Sequence, residues 1–348
     1  MKKIVVYILT LITAFSCSPE QIPDDTDLAP IRLSVVADGV VSRAYMYDDD
    51  LTKEQEFGLN AYLIDGNNTL YLENAWVYYF NGWHFRDQNY QGKLLDYYWP
   101  NDHNVNFVAY MPYNMNKSVV DINDLGFTNE RGFTFNCDLA TSDNDRIIDD
   151  TKDNTRTIKH EFVYAYRHNA QKGDIVKLRF VHPFAAVKFQ LSQSHRDLTI
   201  HSITLSGLNN AGTYTNAADT YDNYKTGQNT LTYDTWTSRN SGTMKIDYEK
   251  SVPEDINYYS LIGGPYLVIP QALTNVKLSV NYSWDIISEK NTNPISIVTS
   301  EIPAWQPGMV YTYTLNLGDN KEEILFKATV EPWTKGEDEG YENQYNVK

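Results

Sequence analysis

Short runs of alternating apolar and polar residues recur along the chain, and they constrain its fold more than any other feature of the sequence. Near the C-terminus, Tyr311, Tyr313, Leu315 and Leu317 alternate with polar residues, and the run 323–331 has the same period of two. This period is typical of a half-buried β-strand. Similar runs follow one another with turn signals between them, and we find no amphipathic helix longer than two or three turns. The sequence therefore predicts an all-β fold built from antiparallel β-sandwiches.

The aromatic residues support the same prediction. The chain contains 27 tyrosines, and tyrosine favours strands and interfaces. Asn81 and Gly82 lie between the aromatic runs 76–80 and 83–85, which is the strongest short-range signal for a β-hairpin.

The length of the chain predicts more than one domain. Its 348 residues exceed what one hydrophobic core usually serves. We place an N-terminal β-sandwich at 31–170 and a C-terminal β-sandwich with an acidic tail at 171–348. A polar segment, 168–174, is the predicted link between them.

The first 16 residues are a predicted signal peptide. Two lysines precede an apolar core over 4–15, which is shorter than the roughly 20 residues of a membrane span. Ser16 and then Cys17 follow, as in a bacterial lipoprotein whose cysteine is acylated and becomes the new N-terminus. An ordinary signal peptide with a chance cysteine is the alternative. Residues 17–30 are acidic and contain prolines, so they are predicted to form a lipidated, flexible tether.

Charge and cysteine content exclude several classes of protein. Removal of the leader leaves 27 basic and 45 acidic residues, a net charge of −18. Such a surface repels nucleic acid and anionic membranes, so nucleic acid is not an expected partner. If Cys17 carries lipid, Cys137 has no intramolecular partner, and the fold is not a disulfide scaffold. Cys137 is predicted to be a small core residue rather than a nucleophile.

No constellation of residues predicts an active site. None of the seven histidines lies in a zinc motif, and the phosphate-binding, dinucleotide and nucleophile-elbow motifs are missing. The acidic stretch 138–150 lacks the glycine and the glutamate of an EF-hand, so a solvated loop is predicted rather than a calcium site. A carboxylate pair for glycoside hydrolysis cannot be singled out among 45 acidic residues. We therefore predict no catalytic residue, no metal, no cofactor and no enzyme.

Several segments together resemble the fimbrillin-like (Mfa-like) proteins of Bacteroidetes, which are subunits of surface fimbriae. They occur in the family's order, at 98–100 with 105–112, 178–189, 266–271, 305–313 and 330–333. His182 is expected to be structural, and Pro183 departs from the family's pattern. The resemblance implies two tandem transthyretin-like antiparallel β-sandwiches. It also implies a lipidated precursor, export to the outer membrane, proteolytic removal of the first strand and strand exchange between subunits.

Within that scheme, Arg43 and Ala44 form the candidate site of proteolytic processing. Arg43 follows the strand-like run 31–37 and suits an arginine-specific protease. The alternative is an arginine that ends a strand and is never cut.

The candidate donor strands lie at the other end of the chain. Ile324, Phe326, Ala328 and Val330 alternate with mostly polar residues, as a strand that enters a neighbour's groove must. A second, weaker alternation lies in the acidic tail, at Tyr341, Asn343, Tyr345 and Val347. Its weakness favours a tip, accessory or anchor role over a stalk role.

Two functions follow from these observations. The first is a structural or adhesive fimbrial subunit whose partners are other subunits, the outer membrane through lipid on Cys17, and surface ligands of a host or of bacteria. The alternative is a surface glycan-binding lipoprotein of a nutrient-uptake system. An exposed aromatic cluster on one sandwich face would favour the alternative, and the aromatic runs 78–79 and 97–99 are its candidates.

Overall fold

The structure of the protein is a computed structural model. It describes residues 28–35, 56–79, 82–87, 93–113, 120–121, 125–128, 132–139, 162–191, 198–216, 218–220, 222, 235–251, 260–284, 289–317 and 324–332. The predicted signal peptide, Cys17, Arg43 and Ala44 lie outside these ranges, as do most of the acidic loop and the C-terminal tail. The predictions made for those segments therefore stay predictions.

The described residues form nineteen β-strands, which are, in chain order, β1 (Arg32–Val35), β2 (Glu56–Leu63), β3 (Leu70–Tyr79), β4 (Trp83–Arg86), β5 (Leu94–Leu95), β6 (Val105–Met111), β7 (Gly126–Thr128), β8 (Gly132–Asp138), β9 (Val163–Ala170), β10 (Ile175–Leu178), β11 (Ala185–Leu191), β12 (Leu198–Asn216), β13 (Trp236–Ser251), β14 (Ser260–Val268), β15 (Lys277–Trp284), β16 (Glu289–Asn291), β17 (Ile295–Ser296), β18 (Met309–Leu317) and β19 (Ile324–Pro332). The all-β prediction is confirmed. Most neighbouring strands are antiparallel, and two pairs, β1 with β10 and β11 with β18, are parallel. No helix in the described ranges is long and apolar enough to span a membrane.

The first core lies between a six-stranded sheet and the pair β1–β10. The sheet has the order β5-β4-β3-β2-β6-β9. In β6, Val105, Phe107 and Ala109 share this core, because alternate residues of a strand lie on one face. Phe57 of β2 and Phe180, which follows β10, are fully buried in the same core. The hairpin predicted from the Asn-Gly signal is confirmed by the ladder between β3 and β4.

The second core lies between a four-stranded and a seven-stranded sheet. The first sheet has the order β14-β11-β18-β19, and the second has the order β16-β15-β12-β8-β7, with β13 beside β12 and β17 beside β15. Phe189 and Leu205 are buried there, and Trp305 donates its indole N–H to the Tyr313 hydroxyl at 2.9 Å. The alternation predicted near the C-terminus is confirmed in β18, since Tyr311 and Tyr313 both face this core.

A third, aromatic core joins the two halves of the chain. Tyr164 of β9 contacts Phe133 of β8 and Tyr214 of β12, and Tyr214 stacks on Phe135 with ring centroids 4.9 Å apart. The hydroxyls of Tyr164 and Tyr214 are hydrogen-bonded at 2.6 Å, and Asn216 Nδ2 donates to Tyr164 at 2.6 Å. Burial raises the pKa of Tyr164 to about 12, so this bond persists at neutral pH. Cys137 is buried in the same core, as predicted.

Two strand pairings cross the boundary that we predicted between residues 170 and 171. β10 follows the boundary but pairs with β1, and β8 precedes it but pairs with β12. A division at this point would separate hydrogen-bonded strands and split the aromatic core. The tandem division and the transthyretin-like form of each half stay predictions.

Candidate strand-exchange site

The first strand of the described residues lies between two other segments and bonds to both. On one side, Ile31 N–H donates to Tyr97 O at 2.7 Å, and Trp99 N–H donates to Ala29 O at 2.9 Å. On the other side β1 runs parallel to β10, with Arg32 opposite Ile175 at the start of the ladder. Residues 29–35, named the resident strand below, therefore fill a groove between β10 and the segment 97–99.

One face of the resident strand packs on the first core. Ala29, Ile31, Leu33 and Val35 all contact it, and Ile31 is 6% exposed. Complete burial of such a side chain contributes about 1.5–3 kcal/mol. The half-buried strand predicted from the alternation of 31–37 is confirmed for its described part. Loss of the resident strand would uncover apolar side chains and leave backbone groups unpaired on both sides, which is how a sheet edge accepts a foreign strand.

The core on which the resident strand packs contains several aromatic rings. Phe57 lies 5.1 Å from Trp83 and 5.4 Å from Phe180 between ring centroids, and Trp99 lies 5.6 Å from Phe107. All five rings belong to the first core or pack against it. The sequence shows Trp99 only as part of an aromatic run, and it contains no signal that this residue pairs with Ala29, seventy positions earlier.

The predicted donor strand forms the edge of the four-stranded sheet. β19 pairs with β18 along its whole length, from Ile324 opposite Leu317 to Pro332 opposite Met309. Phe326 and Ala328 pack on the second core, whereas Val330 is 45% exposed. Departure of this strand would uncover that core.

An ion pair also holds β19 in its sheet. The Lys188 side chain is 1% exposed, and its Nζ lies 3.5 Å from Glu331 Oε1 on β19. Burial lowers the pKa of Lys188 to about 8, although the nearby Glu331 carboxylate raises it in part. If β19 left, a buried ammonium would lose this carboxylate, which is costly in a low-dielectric environment. A lysine in the otherwise mostly apolar run of β11 is the sequence signal that could have pointed to the Lys188–Glu331 ion pair.

Of the aromatic residues proposed for sugar binding, Tyr78 and Trp99 are buried and Tyr97 packs on Phe85 with ring centroids 4.8 Å apart, whereas Tyr79 is 40% exposed. On the outer face of β3, the Arg86 guanidinium lies 4.8 Å from the Trp76 ring and 4.5 Å from the Tyr78 ring. Trp76 also stacks on Tyr113 at 5.2 Å and donates its N–H to Glu56 at 2.8 Å. Tyr78 is 8% exposed. These contacts cover the rings of Trp76 and Tyr78 and leave Tyr79 as the exposed ring of this strand.

The described residues contain no group of three or more His, Cys, Asp or Glu side chains that could hold a metal ion. The tyrosines with raised pKa values, such as Tyr164 and Tyr311, owe the shift chiefly to burial, so they are core residues. His182 is 2% exposed, in agreement with a structural role.

Comparisons with known proteins bear on this fold. A family model described as fimbrillin-like matches residues 42–333. A fimbrial protein from Bacteroides vulgatus is 18% identical, with a TM-score of 0.52 over 88% of this chain and 100% of that chain. A candidate cell adhesion protein from Bacteroides uniformis is 14% identical, with a TM-score of 0.49 over 89% of this chain and 100% of that chain.

A more distant similarity is to the tip fimbrial protein Mfa3 from Porphyromonas gingivalis with C-terminal truncation, which is 10% identical with a TM-score of 0.37 over 88% of this chain and 98% of that chain. No curated protein matches the sequence. The family model covers most of the chain, and the B. vulgatus protein has the same all-β fold. The resemblance inferred from the sequence is thereby confirmed, and the chain belongs to the fimbrillin-like family.

Proposed function

We propose that this chain is a subunit of a cell-surface fimbria, exported as an outer-membrane lipoprotein precursor and assembled by strand exchange. The observation that carries the proposal is the position of the resident strand. It occupies a groove between β10 and 97–99, buries Ile31 on an aromatic core, and precedes the processing site predicted at Arg43. The family match begins at residue 42, so this strand lies outside the matched region.

Cleavage after Arg43 performs two tasks in this proposal. It separates the resident strand from the rest of the chain, so that only non-covalent contacts hold the strand in its groove. It also separates the chain from the lipid on Cys17, because Cys17 precedes the resident strand. The subunit leaves its anchor and opens its groove in the same step, and a strand from another subunit then adds to the exposed backbone.

The donor strand is the less constrained part of the proposal. Ile324, Phe326, Ala328 and Val330 have the required alternation, but β19 is bonded to β18 and its Glu331 lies against the buried Lys188. These four residues are the proposed donor positions. The weaker alternation beyond residue 340 lies outside the described residues and is the alternative donor.

The subunit acts without catalysis in this proposal. Its partners are other fimbrial subunits, the outer membrane before cleavage, and surface ligands on a host or on other bacteria. The resident strand is compatible with a stalk, tip, accessory or anchor position in the fimbria. Each of these positions needs either the groove that the strand fills or the lipid anchor that precedes the strand.

Limited digestion with an arginine-specific protease tests this function. The mature protein is cut, and mass spectrometry and size-exclusion chromatography then follow the fragment 17–43 and the size of the remainder. We expect a cut after Arg43, loss of the fragment, and assembly into larger species. An Arg43→Gln variant is the matched control and should stay monomeric. Strand exchange would be contradicted if the protease never cut after Arg43, or if the cut protein kept the size of the monomer.

The lipid anchor has its own test. A Cys17→Ala variant expressed in a bacterium that processes lipoproteins should leave the detergent phase in a phase-separation assay. Wild-type protein should enter that phase. A Cys17→Ala variant that still enters the detergent phase would refute the anchor and leave the fold and the groove unaffected.

A further inference from the structure

The indole nitrogen of Trp99 is a buried donor without an acceptor. Trp99 is 2% exposed, and no acceptor among the described residues lies within hydrogen-bonding distance of its Nε1. Buried polar groups are normally paired, because an unpaired group has lost its bonds to water. Trp236 and Trp305, the other buried indoles among the described residues, follow this rule: they donate to Pro183 O at 2.8 Å and to the Tyr313 hydroxyl at 2.9 Å.

The strand register places Ala29 directly opposite Trp99. Pro30 and Tyr98 form an antiparallel bridge, and the backbone N–H of Trp99 donates to Ala29 O. Opposite residues of an antiparallel pair lie on one face, with Cβ atoms about 4.5–5.5 Å apart. Both side chains contact the first core. The residue opposite Trp99 therefore carries only a methyl group, which cannot accept a hydrogen bond.

The resident strand also fills its groove incompletely. Of its core-facing residues, Ile31 is buried, whereas Ala29, Leu33 and Val35 are half-buried. Pro30 cannot donate a backbone hydrogen bond. A strand with larger apolar side chains at these positions would bury more surface in the groove than the resident strand does.

We propose that Trp99 selects the incoming strand by favouring a hydrogen-bond acceptor, Ser, Thr, Asn or Asp, at the position of Ala29. The inference rests on the proposed strand exchange and adds the chemistry of the strand that replaces the resident one. That strand belongs to a second subunit and carries a large apolar residue two positions after the acceptor, where Ile31 is now buried. In the tail of this chain, Asn343 followed by Tyr345 has this spacing.

A matched pair of variants in the uncut full chain tests the role of Trp99. The Ala29→Thr and Ala29→Val side chains have the same shape and differ by a hydroxyl group. Hydrogen exchange of the Ile31 amide, which donates to Tyr97 O, measures opening of the resident strand.

We expect exchange to be about three- to tenfold slower in Ala29→Thr than in Ala29→Val, the effect of one net hydrogen bond. This advantage should vanish when both variants also carry Trp99→Phe. If the Ile31 amide exchanges at the same rate in Ala29→Thr and Ala29→Val, the proposal is overturned, whatever the Trp99→Phe variants show. A threonine advantage that persists with Trp99→Phe also overturns it.

A second experiment separates this inference from strand exchange itself. Protein cut after Arg43 is mixed with synthetic peptides of residues 28–36 that carry threonine or valine in place of Ala29, and retained peptide is measured by mass spectrometry. We expect the threonine peptide to be retained about three- to tenfold more. Equal retention of the two peptides overturns selection by Trp99 but leaves strand exchange standing. If neither peptide is taken up, both strand exchange and this inference are refuted.

Discussion

Replacement of Lys188 by methionine should stabilise the protein, and the gain should depend on pH. Lys188 has an ordinary pKa of 10.5, and burial lowers it to about 8 in the folded chain. Between these values the unfolded state binds the proton and the folded state does not, so wild-type stability rises with pH from about 8 to 10.5. Each pKa unit corresponds to about 1.4 kcal/mol, so the buried charge costs about 3 kcal/mol below pH 8. The Lys188→Met variant avoids this cost, since a buried ion pair is often weaker than an apolar replacement.

Urea denaturation of wild type and Lys188→Met at several pH values between 7 and 10.5 measures the effect. The difference between the two unfolding free energies isolates Lys188 from the tyrosines that titrate in the same range. It should be about 3 kcal/mol larger at pH 7 than at pH 10.5. Lys245, whose side chain is 56% exposed, offers the matched control, and Lys245→Met should change stability by less than about 0.5 kcal/mol at every pH. A Lys188→Met difference that is independent of pH would refute the reasoning.

Three further predictions concern the groove, a glycine within β12 and the aromatic core. Ile31→Ala should lower the free energy of opening of the resident strand by about 2–5 kcal/mol, measured by hydrogen exchange of the Trp99 amide. Gly207→Ala should cost about 2–5 kcal/mol in urea denaturation, because Gly207 has φ +73° and an added Cβ would lie 2.3 Å from a backbone oxygen. Gly66→Ala, at φ +85° in open space, should cost only about 1–2 kcal/mol, and equal losses at the two glycines would contradict this argument. Tyr164→Phe should cost about 1–3 kcal/mol, because it removes the buried hydroxyl that bonds to Tyr214 and Asn216, and an unchanged denaturation midpoint would refute it.

The lengths of the longest strands were not predictable from local patterns. The alternation predicts short strands, whereas β12 extends over Leu198–Asn216 and β13 over Trp236–Ser251. β12 continues through Gly207, where the φ is positive and the register with β13 shifts. A glycine within a run suggests the end of a strand when only the sequence is read, but in a long twisted hairpin it accommodates a bulge.

The candidate site was predictable only in part. The alternation from Ile31 onwards predicted the resident strand, and the family resemblance gave it a role. The sequence could not show that this strand pairs with both Trp99 and β10, or that Glu331 lies beside the buried Lys188. Each of these contacts joins residues about seventy or more positions apart, and no local pattern reports such a distance.

The sequence by itself determined that this chain is all-β, where most strands lie, and which family it resembles. These properties depend on the period of two, on turn residues such as Asn81 and Gly82, and on short motifs, all of which are local. Only the tertiary structure decided which strands are neighbours, so that β10 completes the first core and β8 extends a sheet of the second. An alternating strand specifies which of its faces is buried, but its backbone hydrogen bonds are the same with any partner, and the partner is chosen by packing across the whole fold.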